Sequence, residues 1–284
     1  MSEETTTPAF LAPEHACDAH FHVFGPISRY PGRDPKVRYK IPDAPLRDYL
    51  KLARRLGIER FVLVQPSAYL RDNSCMLDAI RRMPGCRGIV DVDENAPDPQ
   101  LATMHVLGVR GVRINVSPIH PPEAGLAQKL LPRIERLEER CAELGWHLDF
   151  LLPGWLTAEL LPHLENLTVD FSLAHMGMFP AKDGPSQPGF ARMLRMLKSG
   201  VGYVKLTGVY RMSQAPGFAD AAPMARALIE AAPDRLIWGS DYPHLSFADK
   251  VTSERLFDLF KSWAPDETTR RKILVDNPAR LFRF

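Results

Sequence analysis

Residues 17–24, CDAHFHVF, form a short run of aromatic, β-branched and small residues closed by Gly25 and Pro26. Its length and composition suit a buried strand and are too short for a helix. Comparable runs recur outward along the chain at 61–65 (FVLVQ), 88–92 (GIVDV), 111–116 (GVRINV), 147–152 (HLDFLL), 168–175 (TVDFSLAH), 203–207 (YVKLT) and 236–239 (LIWG). Longer stretches with helical spacing lie between them, among them 46–56, 73–83, 130–144, 190–197 and 222–232. Eight strands alternating with helices read as βα units around a parallel sheet. The 284 residues match one (β/α)8 barrel, whose usual size is about 250 residues. The expected fold is therefore α/β, a single-domain TIM barrel over 15–284 preceded by a flexible tail, 1–14.

Composition narrows the function classes. Apolar residues make up 45% and charged residues 25%, which excludes disordered and fibrous chains. Lys plus Arg is 36 against 34 Asp plus Glu, a net charge of +2, without the lopsided basic footprint of a nucleic-acid or membrane-surface protein. The 26 prolines are nearly twice ordinary usage of about 5%. Pro66, Pro118, Pro153, Pro180 and Pro243 closely follow strands, and Pro97, Pro132 and Pro223 fall where helices are expected to start, so they punctuate βα units rather than loosen the chain. Cys17, Cys75, Cys86 and Cys141 contain no C-x-x-C pair, so neither a disulfide framework nor a zinc knuckle is expected. The opening MSEETTTPAFLAPEHA lacks the basic and apolar regions of a secretory signal. No apolar run approaches the ~18 residues that span a bilayer. The expectation is a cytoplasmic protein with reduced thiols.

In such barrels the reacting groups sit at the C-terminal ends of strands. The first strand ends DAHFHVFG, where His20 and His22, two residues apart, point to one side. Such a pair suits a divalent metal or polarisation of a carbonyl, and an ordinary pair of strand histidines is the competing reading. The sixth strand ends SLAHMG with His175, and the eighth ends IWGSDYPH with Asp241 and, three residues on, His244. Together His20, His22, His175 and Asp241 ring one mouth. An aspartate there is suited to taking a proton from water while imidazoles polarise the electrophile.

With those motifs in view, DAHFHVFGP, QPSAYLRDN, RGVRINV, AHMG, VKLTGVYR, IWGSDYPH and the closing NPARLF resemble the amidohydrolase superfamily. More narrowly the chain resembles its lactonase branch, that of the pyrone dicarboxylate lactonases, with sugar-acid lactonases and a galactarolactone isomerase as relatives. The resemblance runs from about Cys17 to Phe282. It implies that Asp241 activates water and that His20, His22 and His175 surround the lactone carbonyl. It assigns substrate anions to Tyr39 in KVRYKIP, Ser67 in QPSAY, Arg113 in RGVRINV and Arg211 in GVYRMS. Three positions depart from the pattern: Ile119 and Met178 stand where the branch carries arginines, and Leu151 where it carries a tyrosine. Those replacements imply a substrate with fewer anionic groups, or anions placed differently. Arg71 is either a substitute anion site or a solvated loop arginine.

Other residues have plainer readings. Lys205 either meets a substrate anion or forms an internal salt bridge. His147 opens the fifth strand at the barrel's stability face and reads as structural. His15, His105, His120 and His163 read as solvated, Trp146, Trp155, Trp238 and Trp263 as packing residues, and Cys17 as buried and inert.

Binuclear members of the superfamily use a carboxylated lysine after the fourth strand and a histidine after the fifth; neither ligand is at its expected end here. The resemblance implies catalysis without a metal, so no cofactor is expected. The alternative is one divalent ion, zinc, on His20, His22 and Asp241. The expected activity is hydrolysis of a small anionic lactone, of aromatic-degradation or sugar-acid type, by water activated by Asp241. The rivals are a lactone isomerase, whose representative carries asparagine at the Asp241 position; a metal-dependent amidohydrolase or decarboxylase, which needs the missing strand-five histidine; and a non-catalytic ligand-binding barrel. The expected partner is a small molecule, with no nucleic acid and no membrane, and a homo-oligomer is compatible with the pattern.

Overall fold

The stretch LRDYLKLARRL illustrates how local sequence makes the repeating unit. Tyr49, Leu52, Ala53 and Leu56 recur at helical spacing and are buried, Asp48 lies in the first turn and Arg54 and Arg55 in the last, and Gly57, at φ 76°, ends the helix in a left-handed cap. In the computed structural model, which describes residues 8–37 and 39–284, this helix is the first of a barrel. The strands are β1 (Cys17–Phe21), β2 (Arg60–Val64), β3 (Arg87–Val90), β4 (Val109–Asn115), β5 (His147–Leu151), β6 (Phe171–Leu173), β7 (Tyr203–Leu206) and β8 (Leu236–Trp238). The helices are α1 (Leu46–Leu56), α2 (Ser74–Ile80), α3 (Asp98–Leu107), α4 (Leu126–Leu144), α5 (Gly154–Leu164), α6 (Pro188–Lys198), α7 (Ala222–Ala231), α8 (Ser253–Trp263), α9 (Glu267–Arg271) and α10 (Asn277–Phe282). Strand order follows chain order from β1 to β8, and every paired neighbour is parallel. The chain is a single-domain (β/α)8 barrel.

Alternate strand residues divide the core. Phe21, Leu63, Val90 and Val112 join the helices in the outer layer. Cys17, Ala19, Val62, Val64, Ile89, Tyr203 and Ile237 pack with Leu281 and Phe282 in a separate inner cluster. A register shift between Asp18 and Phe21 breaks the alternation in β1. This bulge lets Cys17 and Ala19 face the inner cluster while His20 and His22 turn into the mouth above it.

Among the boundaries that differ from expectation, three have a clear local reason. β6 is shorter than 168–175 because Glu138 captures Thr168 through both its amide and hydroxyl (2.6 Å each), and His175 has already turned to φ 51°. β1 stops at Phe21 because His22 N–H donates to Tyr242 O across the barrel seam (2.8 Å). Pro132 lies inside α4 rather than at its start, since α4 begins at Leu126 after left-handed Gly125. Of the expected tail, residues 1–7 lie outside the described residues. The rest of it is laid on the barrel: Ala9 N–H donates to Asp258 (2.7 Å) and Phe10 stacks on Phe257 at 4.3 Å.

Candidate active site

The mouth residues come from loops with unusual backbone. His175 at φ 51° and Asp241 at φ 57° are both left-handed, a conformation that is strained for most side chains and clusters at functional sites. Gly208, at φ 56°, makes room beside them: a Cβ there would lie 2.4 Å from His175 Nδ1. The seam between β1 and β8 closes at this point through Asp241 N–H to His20 O and His22 N–H to Tyr242 O, both 2.8 Å. Asp18 reinforces it, accepting from the amides of Ser240 (2.9 Å) and His20 (3.1 Å).

Asp241 is 1% exposed and its two oxygens are in different states. Oδ2 accepts from the Tyr210 hydroxyl (2.6 Å) and from Arg211 Nε (2.9 Å). Oδ1 has no hydrogen-bond partner and lies 3.6 Å from both His20 Nε2 and His22 Nε2. His175 Nε2 is 3.8 Å from Oδ2. Burial pushes the Asp241 carboxyl up, but the Arg211 guanidinium, bonded to Oδ2, holds it well below the usual carboxylate range. Burial also pushes the imidazoles down, His175 to about 3, so they are neutral.

The partners assign the imidazole tautomers. Lys205 Nζ is 2.7 Å from Asp149 Oδ1 and 3.3 Å from His20 Nδ1. Burial lowers the Lys205 amine, and the 2.7 Å pair with Asp149, itself held down at about 2 against its burial by Lys205 and Arg113, opposes that and favours the ammonium, which can only donate. His20 Nδ1 must therefore accept, and the ring proton sits on the unpartnered Nε2. His22 is the reverse: its Nδ1 donates to Val64 O (2.8 Å), leaving a lone pair on Nε2. Thr207 Oγ1 accepts the His175 amide proton (3.2 Å) and lies 2.7 Å from His175 Nδ1; when the hydroxyl gives its own proton to that nitrogen, the His175 ring proton is on Nε2. With that His175 tautomer the mouth presents two acceptors, Asp241 Oδ1 and His22 Nε2, beside two donors, His20 and His175 Nε2–H.

Beside this cluster opens a cavity of about 730 Å³ over β4 to β7, lined by Ile119, Trp155, Met178, Lys182, Arg211 and Met212 among others. Arg211 belongs to both, with its Nε on Asp241 and its side chain in the cavity wall.

Comparison with known proteins gives the family. Residues 17–284 match the family described as Amidohydrolase. The chain belongs to that family. Among its relatives is the 4-sulfomuconolactone hydrolase of Hydrogenophaga intermedia, 37% identical over 96% of this chain and 90% of that one. The enzyme named as a 2-pyrone-4,6-dicarboxylate hydrolase in Comamonas testosteroni is 32% identical over 97% of this chain and 92% of its own. A solved putative 2-pyrone-4,6-dicarboxylic acid hydrolase from Pseudomonas putida superposes with a TM-score of 0.82 at 33% identity, covering 95% of this chain and 97% of that one.

In this amidohydrolase, His20, His22, His175, Asp241 and Arg211 form one cluster. Tyr39 and Ser67 form a pair at the end of β2, hydroxyl to hydroxyl 3.1 Å apart, and the Tyr39 oxygen also accepts from Ala68 N–H (3.1 Å). Arg113 is buried at 3% exposure, with Nη1 donating to Gln65 O (2.9 Å) and Nε 3.8 Å from Asp149. Lys205 resolves to the internal ion pair. Arg71 is engaged by Asp91, Asp93 and Glu94 and is not a free anion site. His147 is structural, its Nδ1 bonded to Arg110 O (2.7 Å). His105 is half-buried rather than solvated, because it accepts from Trp146 Nε1 (3.0 Å), and Trp155 lines the cavity instead of only packing. Tyr210, His244, Asp149 and Thr207 were given no role by the sequence. The first two stand inside the quoted motifs GVYR and SDYPH, which was the available signal.

A single cation is tested by the donor set. Ligand atoms of His20, His22 and Asp241 lie within 4.8 Å of one another. However, the His20 tautomer fixed by Lys205 points a proton, not a lone pair, at the common centre. Arg113 and Lys205 are buried close by as further positive charges. The set fits a water and a carbonyl oxygen better than a metal ion.

Proposed function

We propose that this amidohydrolase opens the ring of a small anionic lactone, with Asp241 as the general base and no metal ion. The observation that carries this reading is the division of labour on Asp241: Oδ2 is held by Tyr210 and Arg211, while Oδ1 is free and faces His20 and His22. A water donating to Asp241 Oδ1 and His22 Nε2 is aimed at a carbonyl whose oxygen receives the His20 and His175 protons. As water attacks, Asp241 takes one of its protons and the oxyanion settles on those two donors. Collapse breaks the ring C–O bond, and Asp241 returns the proton to the departing oxygen, giving the ring-opened acid. The substrate anion is held by Arg211 and Arg113, with Tyr39 and Ser67 beside them. Ile119 and Met178 in the cavity wall support a ligand with fewer anionic groups than a pyrone dicarboxylate. The names of the relatives, two lactone hydrolases, support the same class. Among the described residues no helix is long and apolar enough to cross a membrane, and four buried unpaired cysteines suit a reducing, cytoplasmic compartment.

The test is a panel of aromatic-degradation and sugar-acid lactones assayed with and without chelator. Asp241→Asn is expected to lower kcat by about a hundredfold or more while substrate binding stays nearly intact. Wild-type kcat in that variant refutes the base assignment. Activity lost with chelator and regained with zinc refutes the metal-free mechanism.

A further inference from the structure

We propose that Ser253, His244 and Tyr210 form a one-way hydrogen-bond relay that fixes the orientation of Asp241, making all three positioning residues for the base. The inference rests on Asp241 being that base. The Tyr210 hydroxyl has one proton, and it goes to Asp241 Oδ2 (2.6 Å). Its oxygen lies 3.2 Å from His244 Nδ1 and can there only accept, so His244 carries its proton on Nδ1. Nε2 of that ring is then a lone pair, and it accepts from Ser253 Oγ at 2.8 Å. Every proton in the chain is directed towards Asp241.

The relay links three separate elements. Ser253 is the first residue of α8, His244 sits in the loop after β8 at φ 58°, and Tyr210 is in the turn after β7. All three are at most 5% exposed, and none lines the cavity beside the catalytic cluster. They therefore act through Asp241 and not on the ligand. Tyr210 and Arg211 Nε together hold Oδ2 and so leave Oδ1 as the oxygen facing His20 and His22. Without the Tyr210 bond Arg211 Nε alone holds Oδ2, and the rotation about Cβ–Cγ that aims the basic oxygen is less firmly fixed.

Steady-state kinetics of four variants test the relay. Tyr210→Phe, which removes one oxygen, and His244→Phe, which keeps the ring but no donor, are expected to lower kcat about tenfold or more. KM is expected to move by no more than about twofold. His244→Asn should recover most of kcat, because its amide nitrogen stands where Nδ1 does and asparagine tolerates left-handed backbone. Ser253→Ala, at the far end, is expected to have the same direction and a smaller effect. An unchanged kcat in folded Tyr210→Phe overturns the proposal, as does a rise in KM at constant kcat, which would put these groups on the substrate. The tautomer is read without substrate, in 15N spectra of imidazole-labelled enzyme: a His244 Nδ1 proton supports the relay and an Nε2 proton overturns it. Absence of lactone turnover by the wild type fails the lactonase reading alone, and the spectra still decide the relay.

Discussion

Lys205 and Asp149 are both 0% exposed and 2.7 Å apart, a pair that burial makes expensive and that no solvent screens. Ser172 donates to the same Asp149 oxygen at 2.7 Å, and Arg113 stands 3.8 Å from the other. The pair does something a hydrophobic pair could not: it makes His20 Nδ1 an acceptor. Lys205→Met removes one partner of a buried pair and is expected to lower stability by about 3–5 kcal/mol, read as the shift in urea midpoint. The double variant Lys205→Met/Asp149→Leu should recover most of that stability. Its kcat should nevertheless stay low, because the His20 proton is then shared between two nitrogens. Zinc affinity by calorimetry should rise in the double variant as the Nε2 lone pair becomes available. A stable double variant with full activity would remove the tautomer argument. The side chains that cluster at the mouth were legible in the sequence, since His20, His22, His175 and Asp241 stand at strand ends inside recognisable motifs. The internal salt bridge of Lys205 was one of two readings, but its partner could not be named, because Asp149 is on β5, with β6 between them, and only the closed barrel brings the two together.

At the scale of elements, the site lies on the seam where β8 meets β1. No ladder spans that seam among the paired strands; backbone bonds from Asp241 and His22, with Asp18 as a side-chain staple, close it. Close approach is possible because residue 239 has no side chain: a Cβ on Gly239 would lie 2.6 Å from His20 N and 2.7 Å from its Cβ. Gly111, far from the mouth on β4, is equally tight, with its Cβ direction 2.5 Å from the His147 ring. Gly239→Ala and Gly111→Ala are each expected to cost about 1–3 kcal/mol of stability by overpacking, measured by denaturant titration. Only Gly239→Ala should also depress kcat, since it displaces His20; equal kinetic effects would mean that the seam does not position the site. Element existence was readable from composition and spacing, but element ends were not. Thr168 reads as strand yet is bound by Glu138 from α4, and the sequence around Pro132 reads as a helix start although α4 begins at Leu126. Both boundaries depend on groups distant in sequence or on a left-handed glycine whose conformation no pattern announces.

Across the whole molecule, the net charge of +2 hides a charge distribution that makes stability depend on pH. His147, His175 and His244, which lie at different depths of the barrel, are held neutral by burial and lowered to about 4, about 3 and about 4. In the unfolded chain they protonate near the ordinary value of about 6.5. Between those limits the unfolded state binds more protons than the folded one, so stability rises with pH and is lost as pH falls. Each such imidazole contributes a slope of about 1.4 kcal/mol per pH unit. Asp18 works in the opposite direction: burial raises it to about 6, so the folded state takes up its proton first as pH falls and offsets one imidazole. Asp149, lowered to about 2, adds a further loss only below the ordinary carboxylate value of about 3.9. The net expectation is a urea midpoint that is flat above about pH 7 and falls between about pH 6 and pH 4, because the buried imidazoles, His20 and His22 included, outnumber Asp18. His147 is remote from the mouth, so His147→Gln should reduce that slope by about one proton's worth while leaving kcat unchanged. A midpoint independent of pH across this range would mean that the buried imidazoles gain protons without unfolding the barrel.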